Sequence, residues 1–173
     1  MAYPSTSKWF HWITVALIAV ALPTGFVIKH LAEESKGGFY AVHESAGLTI
    51  LLVSALRLWW RIRHPVPPDA TLPAPLRFAA QGVHHLLYAA LMVQPLLGFF
   101  LTNAFGFPLR GETAYLGLID FPKFMEANER LGNVLGALHA WLGWAIVVLL
   151  ALHIAAVVFH QAIRKDGTLL RMV

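Results

Sequence analysis

Nine histidines in a 173-residue chain that has no cysteine set the chemistry open to this sequence. Two of them, His139 and His153, stand fourteen residues apart in the apolar run HAWLGWAIVVLLALH. On a helix that spacing advances roughly 21 Å and returns to within about 40° of the starting face. Both imidazoles then look the same way from different depths. A histidine inside an apolar span is costly unless it has a strong partner, and a haem iron is such a partner. The absence of cysteine excludes disulfides, thiolate-held iron–sulfur clusters, covalent c-type haem attachment and a cysteine nucleophile. Histidine is then the main soft ligand available.

The elements that must position these residues are membrane spans. The chain is 58% apolar and only 13% charged, a balance of the bilayer rather than of a water-soluble domain. Four apolar runs can cross a hydrocarbon core of roughly 30 Å, at about residues 8–30, 39–61, 78–104 and 132–163 of a single domain covering 1–173. Trp9 and Trp12 suit an interface at the start of the first. A short basic start before an apolar run also fits a secretory signal, but the tryptophan flanks and the lack of an A-x-A site predict that this span is retained. Residues 31–38 (LAEESKGG) read as a polar turn. The connector HPVPPDATLPAP carries five of the ten prolines and reads as stiff and non-helical. Pro95 predicts a kink in the third span. Residues 105–131 mix aromatics with charges and read as a packed cap.

Charge orients the bundle. With both termini and the connector on one side, that side carries Lys8, Arg57, Arg61, Arg63, Arg77, Arg164, Lys165 and Arg171 against Asp69 and Asp166, a net of +6. The other side carries Lys29, Lys36, Arg110, Lys123 and Arg130 against Glu33, Glu34, Glu44, Glu112, Asp120, Glu126 and Glu129, a net of −2. Lysine and arginine beside spans stay inside, so both termini are expected in the cytoplasm. The overall charge of +4 is read as this bias and not as affinity for nucleic acid.

Depth then suggests partners. His43 and His139 lie near the outer starts of the second and fourth spans, and His11 and His153 lie towards the inner side. The pairs are His43 with His139 for an outer haem and His11 with His153 for an inner one. Each would be a six-coordinate iron suited to electron transfer. By counting from the basic anchors, His160 matches the depth of His11 better than His153 does, which leaves the inner pair open. A single intramembrane histidine also serves as a hydrogen-bonded core residue or a proton-relay member. Small residues near the ligands (Ala46, Gly47, Gly132, Gly136, Gly143) suit either a flat macrocycle or close helix packing. Arg57, one turn inside Arg61, can reach a haem propionate or simply snorkel. At most one of His84 and His85 should face the bundle, and His30 and His64 sit at helix ends.

The ordered set of motifs resembles the bacterial cytochrome b561 family, related to the cytochrome b subunits of hydrogenases and formate dehydrogenases. The resemblance rests on His11–Trp12, H-x3-G at His43 and Gly47, R-x3-R at Arg57 and Arg61, and the proline-rich connector. It continues through H-x3-Y at His84 and Tyr88, the EANER stretch, H-x13-H, and the tail KDGTLLRM. It implies an all-α transmembrane four-helix bundle with two haem b groups stacked across the bacterial inner membrane. It also implies axial ligands at His11, His43, His139 and His153, which settles the inner pair on His153. Exchange of electrons with the quinone pool is implied too, in some members by oxidising superoxide at the outer face and reducing ubiquinone. Such a protein is an oxidoreductase without a general base or nucleophile. Candidate quinone contacts are His160, His84 and Trp60 on the inner side, and Asn103 and Asn133 on the outer. Two other readings remain, a cytochrome that anchors a partner dehydrogenase with the 105–131 loop as its dock, and a haem-free transporter using histidines for protons or metal.

Overall fold

The computed structural model describes residues 3–67, 72–106, 114–121 and 123–173. Four helices dominate it: α1 (Ser5–Ile28), α2 (Glu33–Arg63), α3 (Ala74–Ala104) and α4 (Glu129–Val158). A π-helical turn, Phe159–Arg164, prolongs α4. All four are long and apolar enough to cross a membrane, since even the 24 residues of α1 reach about 36 Å at 1.5 Å per residue. The chain is a multi-pass, all-α membrane bundle.

Two helix starts differ from the sequence expectation. The turn over LAEESKGG is shorter than expected, because α2 already begins at Glu33. Glu33 and Glu34 there complement the positive end of the helix dipole, and Lys36 pairs with Glu33 one turn on. Likewise α3 begins at Ala74, inside the connector read as non-helical. Pro75 falls in the first turn, where the missing N–H has no helical partner to lose. The start of α4 is built by Asn128, whose side chain accepts the Leu131 N–H at 3.0 Å. Prolines lie inside both α1 (Pro23) and α3 (Pro95).

Close backbone approaches join α1 to α2, α3 to α4 and α2 to α3. Between α1 and α4 the contact is made by rings, with Phe26 and Trp144 at 4.9 Å. Buried core residues are mostly small, such as Ala21 and Ala46 beside Ile50. Large apolar side chains (Trp141, Trp144, Leu152, Ile154) point outward, the arrangement a lipid solvent allows.

At the end opposite the termini, a minimal hairpin pairs Ala114–Tyr115 (β1) with Ile119–Asp120 (β2). Leu116 and Gly117 both take left-handed φ at its tip, which suits a tight turn. The Tyr115 hydroxyl meets the Thr49 hydroxyl at 3.0 Å, and the Leu116 N–H donates to Ser45 at 2.9 Å. Phe124 stacks on Phe99, and Phe121 packs edge-on to it. The described part of the 105–131 segment is therefore a packed cap on α2 and α3. Asp69, Arg110 and Glu112, used in the charge count, lie outside the described residues.

Candidate haem sites

At the hairpin end, α2 and α4 bring the rings of His43 and His139 to 6.1 Å between centroids, inclined by 79°. At the termini end, α1 and α4 bring His11 and His153 to 6.3 Å and 63°. Two imidazoles that share one metal through nitrogens at about 2 Å have centroids roughly 6.3 Å apart. Both separations match an iron bridged by two histidines. Among the described residues no group of three or more His, Asp or Glu is placed to hold an ion directly. Two histidine rings at that separation are the protein ligands that a haem would take.

The hairpin-end pair borders a cavity of about 480 Å³, lined among others by Ile18, Gly25, Leu48, Leu91, Gly98 and Gly136. That volume lies in the range of cofactor sites. His43 Nδ1–H donates to the Ala21 carbonyl at 2.8 Å, and His139 Nδ1–H donates to the Gln94 carbonyl at 3.1 Å. A carbonyl only accepts, so each ring is held in the tautomer with Nε2 free to ligate. Gln94 also ties α3 to α4, its side-chain N–H donating to the His139 carbonyl at 2.9 Å. Its own Oε1 and the Asn103 Nδ2 are buried without a protein partner among the described residues. Both side chains line the cavity. Orphaned polar atoms beside an apolar cavity are a mark of a ligand site.

At the termini end the surroundings are cationic. Arg57 Nη2 donates to His11 Nδ1 at 3.2 Å, and its guanidinium lies 5.3 Å over the Tyr88 ring. Among the described residues no carboxylate pairs with it. An apolar span holding an unpaired guanidinium calls for an anion. His84 comes in from α3 to 5.4 Å from His153 and is open at the surface.

The other candidates are placed as follows. The Trp60 N–H donates to Ser7 at 3.1 Å while its ring stacks on His64 at 3.7 Å. Asn103, 1% exposed, accepts the Phe124 N–H at 3.3 Å. Asn133 is exposed on the outer face of α4, beside Glu129 and Arg130. His160 is engaged with the C-terminal tail, its Nδ1–H donating to Asp166 at 2.7 Å. Of the small residues, Gly132 meets the Phe105 ring, while Gly47, Gly136 and Gly143 line the hairpin-end cavity. Gln94, Gly25 and Gly98 were missed by the sequence reading; a glutamine beside proline in an apolar span was the available signal for the first.

Asp166 organises the C-terminal tail. The Thr168 hydroxyl, then His160 and Arg164, hold its carboxyl well below the usual carboxylate range. The tail beyond it folds back on α1: the Tyr3 N–H donates to the Arg171 carbonyl, and the Trp12 N–H to the Met172 carbonyl. Because the folded-state value is depressed, the stabilisation by this carboxylate is complete above the unfolded value of about 4 and is lost as pH falls below it. Asp166→Asn should therefore expose residues 166–173 to carboxypeptidase severalfold faster at pH 7, whereas wild type should be trimmed at equal rates at pH 7 and pH 5.5 once protease activity is normalised. Equal trimming of variant and wild type at pH 7 would count against the latch.

Comparison with known proteins places the chain in a family. The family model described as prokaryotic cytochrome b561 matches residues 2–173. The chain is 29% identical to cytochrome b561 homolog 2 of Escherichia coli (strain K12), covering 99% of this chain and 90% of that protein. It is 28% identical to the probable superoxide oxidase CybB of Yersinia pestis, covering 94% and 90%. It is 26% identical to cytochrome b562 of Cereibacter sphaeroides, covering 94% and 89%. With four spanning helices and a match along nearly its whole length, the chain belongs to the prokaryotic cytochrome b561 family, membrane cytochromes of electron transfer that bind haem b.

Proposed function

We propose that this protein carries two haem b groups and relays electrons through the bacterial inner membrane, from superoxide at the hairpin face to ubiquinone. The observation that carries the proposal is the presence of two histidine pairs, each at bridging separation, about 21 Å apart along α4. His43 and His139 ligate at the hairpin end, His11 and His153 at the termini end. Bound haem supplies the one-electron redox chemistry. The chain supplies placement, a low-dielectric surround and closed axial positions. With haem bound, His11 would hold it through Nε2 and keep the proton on Nδ1, and the Arg57 guanidinium would be available to neutralise a haem carboxylate. The positive-inside balance puts the termini in the cytoplasm and the hairpin in the periplasm. Of the quinone candidates, Trp60 and His160 already spend an N–H within the protein. His84, exposed and beside His153, is the ring best placed to donate to a quinone carbonyl.

Two superoxide ions give up one electron each, leaving two dioxygen molecules, and one ubiquinone with two protons becomes ubiquinol. Superoxide generated enzymatically should thus drive ubiquinone reduction by the purified protein faster than its dismutation alone permits. A rate at the dismutation background would remove superoxide as the donor and leave the electron carrier intact. The exposed apolar hairpin tip, Leu116, Leu118 and Ile119, favours a second reading in which a dehydrogenase docks there and feeds the haems. Turnover with superoxide in protein that retains no partner would exclude that second reading.

A further inference from the structure

His43 and His139 reach different helices but are seated in the same way. His43, from α2, donates to the Ala21 carbonyl of α1, and its ring lies on Gly25, where a Cβ would come within 2.6 Å of Cε1. His139, from α4, donates to the Gln94 carbonyl of α3, and its ring lies on Gly98, where a Cβ would come within 3.1 Å of Cε1. In each case the carbonyl and the glycine are four residues apart, one helical turn, with a proline between them: ALPTG at residues 21–25 and QPLLG at 94–98. A proline cannot donate to the carbonyl four residues before it, Ala19 and Leu91 here, and it disturbs the turn before it; the Ala21 and Gln94 carbonyls belong to that turn, two and one residues ahead of the proline. The glycine clears the space that the ring then occupies. The match is specific to the rings, since the three nearest atoms to a Cβ at Gly25 are all of His43 and those at Gly98 are all of His139.

We propose that Pro23–Gly25 and Pro95–Gly98 are two copies of one histidine socket, positioning residues that fix the ring planes of His43 and His139 and keep them nearly perpendicular. This rests on the reading of those histidines as axial ligands. The observed inclination of 79° has a spectroscopic consequence. Perpendicular axial imidazoles leave the iron d orbitals nearly degenerate, so a ferric low-spin haem shows a strongly anisotropic, large-g EPR signal. More nearly parallel planes give an ordinary rhombic one.

The test uses purified holoprotein, haem content by pyridine haemochrome and ferric EPR. Gly98→Ala, whose contact is tight but not prohibitive, should keep both haems and move one large-g signal towards the rhombic form, leaving the other unchanged. Gly25→Ala, with the closer contact, should shift its signal further or lose that haem. Gly38→Ala, on the same helix as His43 but exposed, outside the cavity lining and with nothing near an added Cβ, should leave both signals as in wild type; a shift there equal to that of Gly98→Ala would overturn the proposal. Both haems retained with an unchanged spectrum in Gly98→Ala would overturn it as well. Should Gly98→Ala hold no haem, Pro95→Ala, which adds no bulk, decides by the same criterion. Two haems retained in His139→Ala would instead sink the ligand reading beneath the proposal.

Discussion

Replacing His139 with Ala is expected to take the protein from two haems per chain to one and to abolish electron passage between its two faces. The hairpin-end site has two protein ligands, and each is fixed by a hydrogen bond to a neighbouring helix. Removing His139 leaves His43 as the single ligand in an apolar cavity, too little to hold the haem there. The termini-end pair is about 21 Å away along α4 and shares no ligand with it, so its absorption should be unaltered. His43→Ala should reproduce the phenotype. Optical spectra of the reduced purified variants, with haem extracted and counted, check this expectation.

Arg57→Met should have the second largest effect, confined to the other end. The methionine keeps most of the apolar stem and removes the charge. In the proposed holoprotein the guanidinium compensates a carboxylate in a low-dielectric surround, and removing one member of a buried pair typically costs about 3–5 kcal/mol. That corresponds to at least about a hundredfold weaker retention of the termini-end haem, read as haem transferred to apomyoglobin over time. The hairpin-end haem should be retained as in wild type. Equal retention of both would reduce Arg57 to a snorkelling residue, a role its position one turn inside Arg61 also permits.

The sequence carried the architecture because lipid imposes simple rules on it. Span length, charge asymmetry and the 100° helical step are enough to place His139 and His153 on one face and to match His43 with His139 in depth, whereas depth alone favours His160 over His153 as the partner of His11 and only the family resemblance favours His153. Residues 33–38 were harder to read. Their polarity resembles a turn, but Glu33 and Glu34 favour a helix start, and propensity alone does not say which effect wins. Pro75 was ambiguous for a related reason, since proline ends a helix from inside but begins one readily. Arg57 was legible as a buried cation, whereas its hydrogen bond to His11 depends on how α1 sits against α2. The seats of the hairpin-end histidines were least visible. Gly25 and Gly98 lie on helices other than those bearing the histidines, so their meaning exists only in the tertiary register. Gly47, four residues after His43, lines the cavity itself, where an added Cβ would meet nothing within 4 Å.

The pairing itself is most directly tested by haem content in double variants. Substitutions that act on one site do not add, and those on separate sites do. Replacing both His43 and His139 with Ala should therefore leave one haem per chain, as either single change does. Replacing His43 and His153 together should leave none. A cross-pair double variant that still binds haem, or a within-pair double variant that binds none while folding as wild type, would contradict the two-site account.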